Sequence, residues 1–168
     1  MRRVLVLIVV LITALLLQMT IFSDVTLIRA KPELVYLVAI VFAILEGPNA
    51  GAVVGFFGGM AQDFLSTAPK GITALTLTLL GYVIGLLRQY IVSPSPALPT
   101  FLVAIGTFAG VMFHGLVSFL LGQLSEPFID LVTIAGLSAL YNAVLTPLLF
   151  PVIRRLAEGS QTQRVHRW

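Results

Sequence analysis

Cysteine is absent from the chain, which excludes disulfides, thiolate zinc sites, iron–sulfur clusters and cysteine nucleophiles. Histidine is nearly absent: His114 and His166 offer too little imidazole for most transition-metal sites. Charge is scarce too, at 10% of 168 residues against about 25% in an ordinary soluble domain. So few charges cannot cover the outside of a water-soluble globule. With 58% hydrophobic residues and a mean hydropathy of +1.05, the chain is an integral membrane protein. No P-loop, dinucleotide-binding fingerprint or HExxH occurs in it. Its bases exceed its acids, 10 to 7, but they are scattered at loops and ends. That pattern reads as orientation in a bilayer, and no nucleic-acid partner is expected.

What the chain has instead is apolar runs. Residues 4–22 are interrupted only by Thr13, Gln18 and Thr20, and nearly cross a hydrocarbon core of about 30 Å. The run is longer than a signal-peptide core and no small-residue cleavage site follows it, so it reads as an uncleaved helix. Further spans are expected at about 32–45, 48–62, 72–92, 100–122 and 131–153, followed by a basic cytoplasmic tail at 154–168. Pro32 suits a first helical turn, and Glu46-Gly47-Pro48-Asn49 reads as a break. The fold class expected is therefore all-α, with six transmembrane segments in a compact bundle.

Charge arbitrates whether 34–62 holds two short spans or one. Six spans put Arg2, Arg3, Arg88, Arg154, Arg155, Arg164 and Arg167 on one side, and only Arg29, Lys31 and Lys70 on the other. The positive-inside rule then places both termini in the cytoplasm. Merging the two short segments reverses that distribution. A re-entrant hairpin at 34–62 keeps the same parity and stays open as an alternative.

Small residues recur with helical spacing. Gly47, Gly51, Gly55 and Gly59 are four apart, with Asp63 next, and Gly106, Gly110, His114, Ser118 and Gly122 repeat the interval in the fifth span. In lipid, helices associate where small residues let backbones approach. Packing within the chain is the first reading, and a surface for another protein the second. His114 lies mid-helix and is expected to bond across helices, to Ser118 or to a threonine of the fourth span. Ser138, Asn142 and Thr146 form a polar stripe ahead of Pro147 and Pro151, expected to satisfy one another and the carbonyls freed by the prolines. Asp63 is expected at a helix end as a solvated cap or as the ion-pair partner of Lys70. No carboxylate is evidently placed to orient His114 for nucleophilic chemistry, so no enzyme, cofactor or metal is expected.

Gln18, Pro32-Glu33-Leu34, the segment Gly47-x-x-x-Gly51-x-x-x-Gly55-Phe56-x-x-Gly59-x-x-x-Asp63, Gly71, Leu75, Gly81-Tyr82 and Tyr141-Asn142 with Pro147 resemble the MreD family of rod-shape-determining membrane proteins. The resemblance implies a non-enzymatic subunit of the bacterial elongation machinery. The implied partners are MreC, bound directly, then RodA, a class B penicillin-binding protein and MreB in the same complex, with membrane lipids around them. It implies a fold similar to the substrate-binding subunits of energy-coupling-factor transporters. That similarity supplies the alternative, capture of a vitamin-type small molecule. Short outer loops with few aromatics argue for an adaptor without a pocket.

Overall fold

The computed structural model describes residues 2–20, 32–66, 70–88, 97–123 and 127–159. Six helices run through them: α1 (Arg2–Thr20), α2 (Leu34–Glu46), α3 (Pro48–Leu65), α4 (Ile72–Leu87), α5 (Ala97–Leu120) and α6 (Phe128–Gly159). No strand occurs among the described residues. Two helices, α5 and α6, are long and apolar enough to cross a membrane, while α2, α4 and the stretch Leu7–Gln18 are shorter apolar helices.

The break before α3 has a local cause. Gly47 sits at φ 100°, a left-handed conformation that glycine takes without a Cβ penalty, and Pro48 opens α3, where a missing N–H costs nothing. The chain folds back at once, bringing Ala43 against Gly51 and Val35 against Gly58. Residues 34–62 thus form an antiparallel helical hairpin, the geometry shared by two short spans and a re-entrant pair.

Helix α2 is the centre of the bundle. Every residue from Leu34 to Ala43 is buried, and α2 packs against each of the other helices. A helix apolar all round is either a lipid-facing span or an interior helix, and its burial makes α2 the interior one. The surrounding helices turn Phe57, Leu79, Phe101, Leu140 and Val144 outward, as a lipid-facing surface requires. At 13 residues α2 is only about 20 Å long, whereas α5 and α6 have 24 and 32 residues. The long pair overshoots the N-terminus of α2, and the recess this leaves holds the candidate site.

Alternating helix directions bring Gly47, Arg88, Arg154 and Arg155 to one end of the bundle and Glu33, Lys70, Gln123 and Asp130 to the other. Helix α6 runs through Pro147 and Pro151, as the expected sixth span to residue 153 also does, and extends to Gly159, so that Arg154 and Arg155 lie on the helix. Pro147 brings no N–H to the Ala143 carbonyl, and one residue earlier Thr146 Oγ1 donates to the Asn142 carbonyl at 2.6 Å. Asp24, Arg29, Lys31, Glu126, residues 89–92 of the expected fourth span and residues 160–168 of the expected tail lie outside the described residues.

Candidate functional site

The glycine ladders come first, because they decide which surfaces are free. Helices α3 and α4 run antiparallel with their backbones in direct contact. A Cβ added at Gly51 would lie 2.5 Å from the Gly81 carbonyl oxygen, one at Gly55 2.2 Å from that of Leu77, and one at Gly59 2.5 Å from Ala74 Cα. Gly81 and Gly85 close the seam from the α4 side, against Gly51 and Pro48. In α5, Gly106 receives Ile40 and Gly110 receives the Tyr36 ring. Gly51, Gly55 and Gly59 on α3 and Gly106 and Gly110 on α5 are therefore covered within the chain. Gly122, the last step of the second ladder, has a different task. With φ 68° it ends α5 in a Schellman motif, Gln123 N–H donating to the Ser118 carbonyl at 2.9 Å and Gly122 N–H to that of Phe119 at 2.9 Å.

Asp63 is neither solvated nor paired through its carboxylate with Lys70. It is 1% exposed, and its Oδ2 accepts the N–H groups of Gly71 (2.8 Å) and Ala74 (3.1 Å), while Oδ1 accepts that of Thr73 (3.3 Å). A carboxylate from α3 thus caps the N-terminus of α4, satisfying orphan donors and complementing the helix dipole. Lys70 Nζ reaches the main-chain oxygens of Asp63, at 2.6 Å, and of Ser66.

Glu33, at the N-terminus of α2, joins four helices. Its Oε2 accepts from the side-chain amides of Gln18 on α1 and Gln62 on α3, each at 3.0 Å. Gln18 Oε1 in turn accepts the Val35 N–H at 3.3 Å, completing the cap of α2 from a neighbouring helix. Asn142 on α6 is fully buried and donates to the Glu33 carbonyl at 2.9 Å and to Thr107 Oγ1 on α5 at 3.0 Å. The polar stripe of α6 was expected to satisfy itself. Asn142 instead ties α6 to the floor of the recess, since in a low-dielectric interior its amide must find donors and acceptors on whichever helices face it.

Above that floor lies a cavity of about 410 Å³ with a mixed lining, Glu33, Gln62, His114 and Ser118 on the polar side and Val111, Leu131 and Ile134 on the apolar side. Short outer loops had argued against a pocket. The cavity arises from unequal helix lengths, which composition of the loops does not report. Gln62 Oε1 and His114 Nδ1 are buried there with no hydrogen-bond partner among the described residues, as is Asn142 Oδ1 one layer below. The expected bond between His114 and Ser118 or a threonine is thus not made through Nδ1. Of the expected site residues, Gly47, Gly51, Gly55 and Gly59 lie in or beside the seam, Asp63 caps α4, Phe56 faces outward, and His114 alone lines the cavity. Gln62, Tyr36 and Thr73 were not singled out. Gln62 carried a usable signal: an amide within an otherwise apolar membrane helix must find partners there.

Among the described residues no group of three or more His, Cys, Asp or Glu is placed to hold a metal ion. A family model described as rod shape-determining protein MreD matches residues 1–159 of the chain. No curated protein and no solved structure matches it.

Proposed function

Because the chain belongs to the MreD family of rod shape-determining proteins, we propose that it is a non-enzymatic integral membrane subunit of the bacterial cell-wall elongation machinery. It binds MreC directly and works beside RodA, a class B penicillin-binding protein and MreB to maintain rod shape. The observation that carries this reading is the family match over residues 1–159. In this reading six segments lie in the cytoplasmic membrane with both termini inside. The clustering of Arg88, Arg154 and Arg155 at one end of the bundle supports that orientation.

The partner's helix rests on an outward face, since the glycine faces are occupied within the chain. Phe56 is the exposed member of the expected set and stands edge-on to Phe57, with ring centroids 5.5 Å apart. Aromatic surface of this kind gains dispersion energy against a partner's helix, where hydrophobicity as such gains nothing in lipid. Co-purification with MreC in mild detergent tests the reading. MreC should accompany the wild-type chain, less of it should accompany Phe56→Ala, and depletion should round the cells. Rod-shaped cells after clean depletion would overturn it.

The cavity favours a second reading, a small-molecule-binding subunit of a transporter with a fold similar to energy-coupling-factor substrate-binding subunits. Tight binding of a water-soluble vitamin by the purified chain, together with normal cell shape after depletion, would establish that reading instead.

A further inference from the structure

The outer helices differ in apolar height. Helix α4 has 16 residues and is about 24 Å long. Its exposed apolar side chains run from Leu75 through Leu79 and Val83 to Leu87, a rise of about 18 Å. On α5 the exposed apolar side chains run from Phe101 to Leu120, about 29 Å, and on α6 from Phe128 to Val152, about 36 Å. A hydrocarbon core of about 30 Å therefore suits α5 and α6 but exceeds α4 by about 6 Å. Charge bounds the shorter helix, with Lys70 just before it and Arg88 as its C-cap.

A helix too short for its bilayer is accommodated by snorkelling of its flanking charges, by association with another surface, or by thinning of the lipid beside it. Snorkelling is curtailed at both ends of α4. Lys70 Nζ is held by the main-chain oxygens of Asp63 and Ser66. The Arg88 guanidinium lies level with the α2–α3 turn, its Nη1 3.7 Å from where a Cβ of Gly47 would stand. Association in lipid favours small residues, and those of α4, Gly81 and Gly85, are already covered by Gly51 and Pro48. Nor can α4 slide alone along the bilayer normal, because its backbone is seated on that of α3. We propose that the chain thins the bilayer along α4 by about 6 Å, about 3 Å in each leaflet, and gathers phospholipids with short acyl chains there. The lipid beside α5 and α6 keeps its ordinary thickness, so the deformation is one-sided. The inference rests on the six-segment reading, and its test reports on that reading separately.

Because the chain has no cysteine, single substitutions carry spin labels without background. Labels at Leu75→Cys and Leu87→Cys on α4, and at Phe101→Cys and Leu120→Cys on α5, are read for depth by power saturation in dioleoyl phosphatidylcholine vesicles. Both α4 labels should lie about 3 Å below the polar boundary, whereas an undeformed core would place them about 6 Å below it. Arg88→Leu should let the Leu87→Cys label sink by about 3 Å and leave the α5 labels unmoved. Should that variant fail to fold, shorter lipid decides the matter. In dimyristoleoyl phosphatidylcholine the α4 depths should stay as they were, while the α5 labels rise toward the polar region. Three results overturn the proposal: α4 labels about 6 Å deep in the dioleoyl vesicles; α4 depths that shrink in the shorter lipid; or α4 labels shielded from oxygen, as a second copy covering the helix gives. Topology is read apart from depth, by a membrane-impermeant maleimide on intact spheroplasts. It should reach Gln123→Cys and not Asn49→Cys, which lie exposed at opposite ends of the bundle. Labelling of both overturns the six-segment reading and the proposal with it, whereas the expected labelling with undeformed depths overturns the thinning alone.

Discussion

The α3–α4 seam and the recess above α2 lie in the same bundle, and they handle backbone and polar groups in opposite ways. In the seam, glycines remove side chains altogether, and carbonyl oxygens of one helix lie where a Cβ of the other would be. Side-chain polarity enters at its end, where the Asp63 carboxylate accepts the N–H groups of Gly71, Thr73 and Ala74. In the recess, side chains from α1, α2, α3, α5 and α6 converge, and buried polar atoms on Gln62, His114 and Asn142 are left over. The seam is a region of completed contacts and the recess one of incomplete hydrogen bonding. Rigidity is thereby expected of the first and ligand responsiveness of the second.

The seam should be the easier of the two to break. Gly55→Leu or Gly59→Leu forces α3 away from α4, because the new Cβ meets backbone and not a flexible side-chain end. Overpacking of this sort costs about 1–3 kcal/mol or more, and folded yield in detergent should fall sharply. Gly136→Ala, where a Cβ meets nothing within 4 Å, and Val53→Leu, on the outward face of α3, should melt like the wild type. Equal melting of seam and control variants would dissolve the contrast.

A smaller loss is expected where the two regions meet. Asp63→Ala strands three N–H groups at the start of α4, two of them buried, a penalty of about 1–3 kcal/mol. Asp63→Asn retains acceptor capacity and should recover part of it, which thermal melts of the two variants side by side would reveal. Asn142→Leu should cost somewhat less, about 1–2 kcal/mol, because it removes bonds to Glu33 and Thr107 but also an orphaned acceptor. Hydrogen exchange should then rise in α6 around residue 142 before it rises in α3.

Gln62→Leu should have the smallest effect on stability, within about 1 kcal/mol, since a lost bond to Glu33 is offset by removal of an unpaired buried oxygen. A melt lowered as far as that of Gly55→Leu would show the recess to be as structurally committed as the seam.

Much of the architecture was legible in the residue order because helix formation in lipid is local. Apolar runs, the Gly47-Pro48 break and a four-residue glycine interval each fix a property of one helix: its extent, its end or its smooth face. Where a strong local rule met a long-range compensation, reading the order alone fell short. Asp63 reads as a solvated cap or as the partner of Lys70, and it is buried and caps α4 from α3.

By itself, then, the sequence determined a membrane protein of helices, with close-approach faces on the third and fifth and polar residues that lipid would not tolerate outside. The tertiary structure decided what met those faces and residues. The α3 ladder met α4 and not a partner, Asp63 met the N-terminus of another helix, and Glu33, Gln62, His114 and Asn142 met around the end of a helix too short for its neighbours. The physical reason is range. Spacing along one helix fixes what that helix presents, whereas the choice of contact depends on the relative lengths and directions of six helices packed at once.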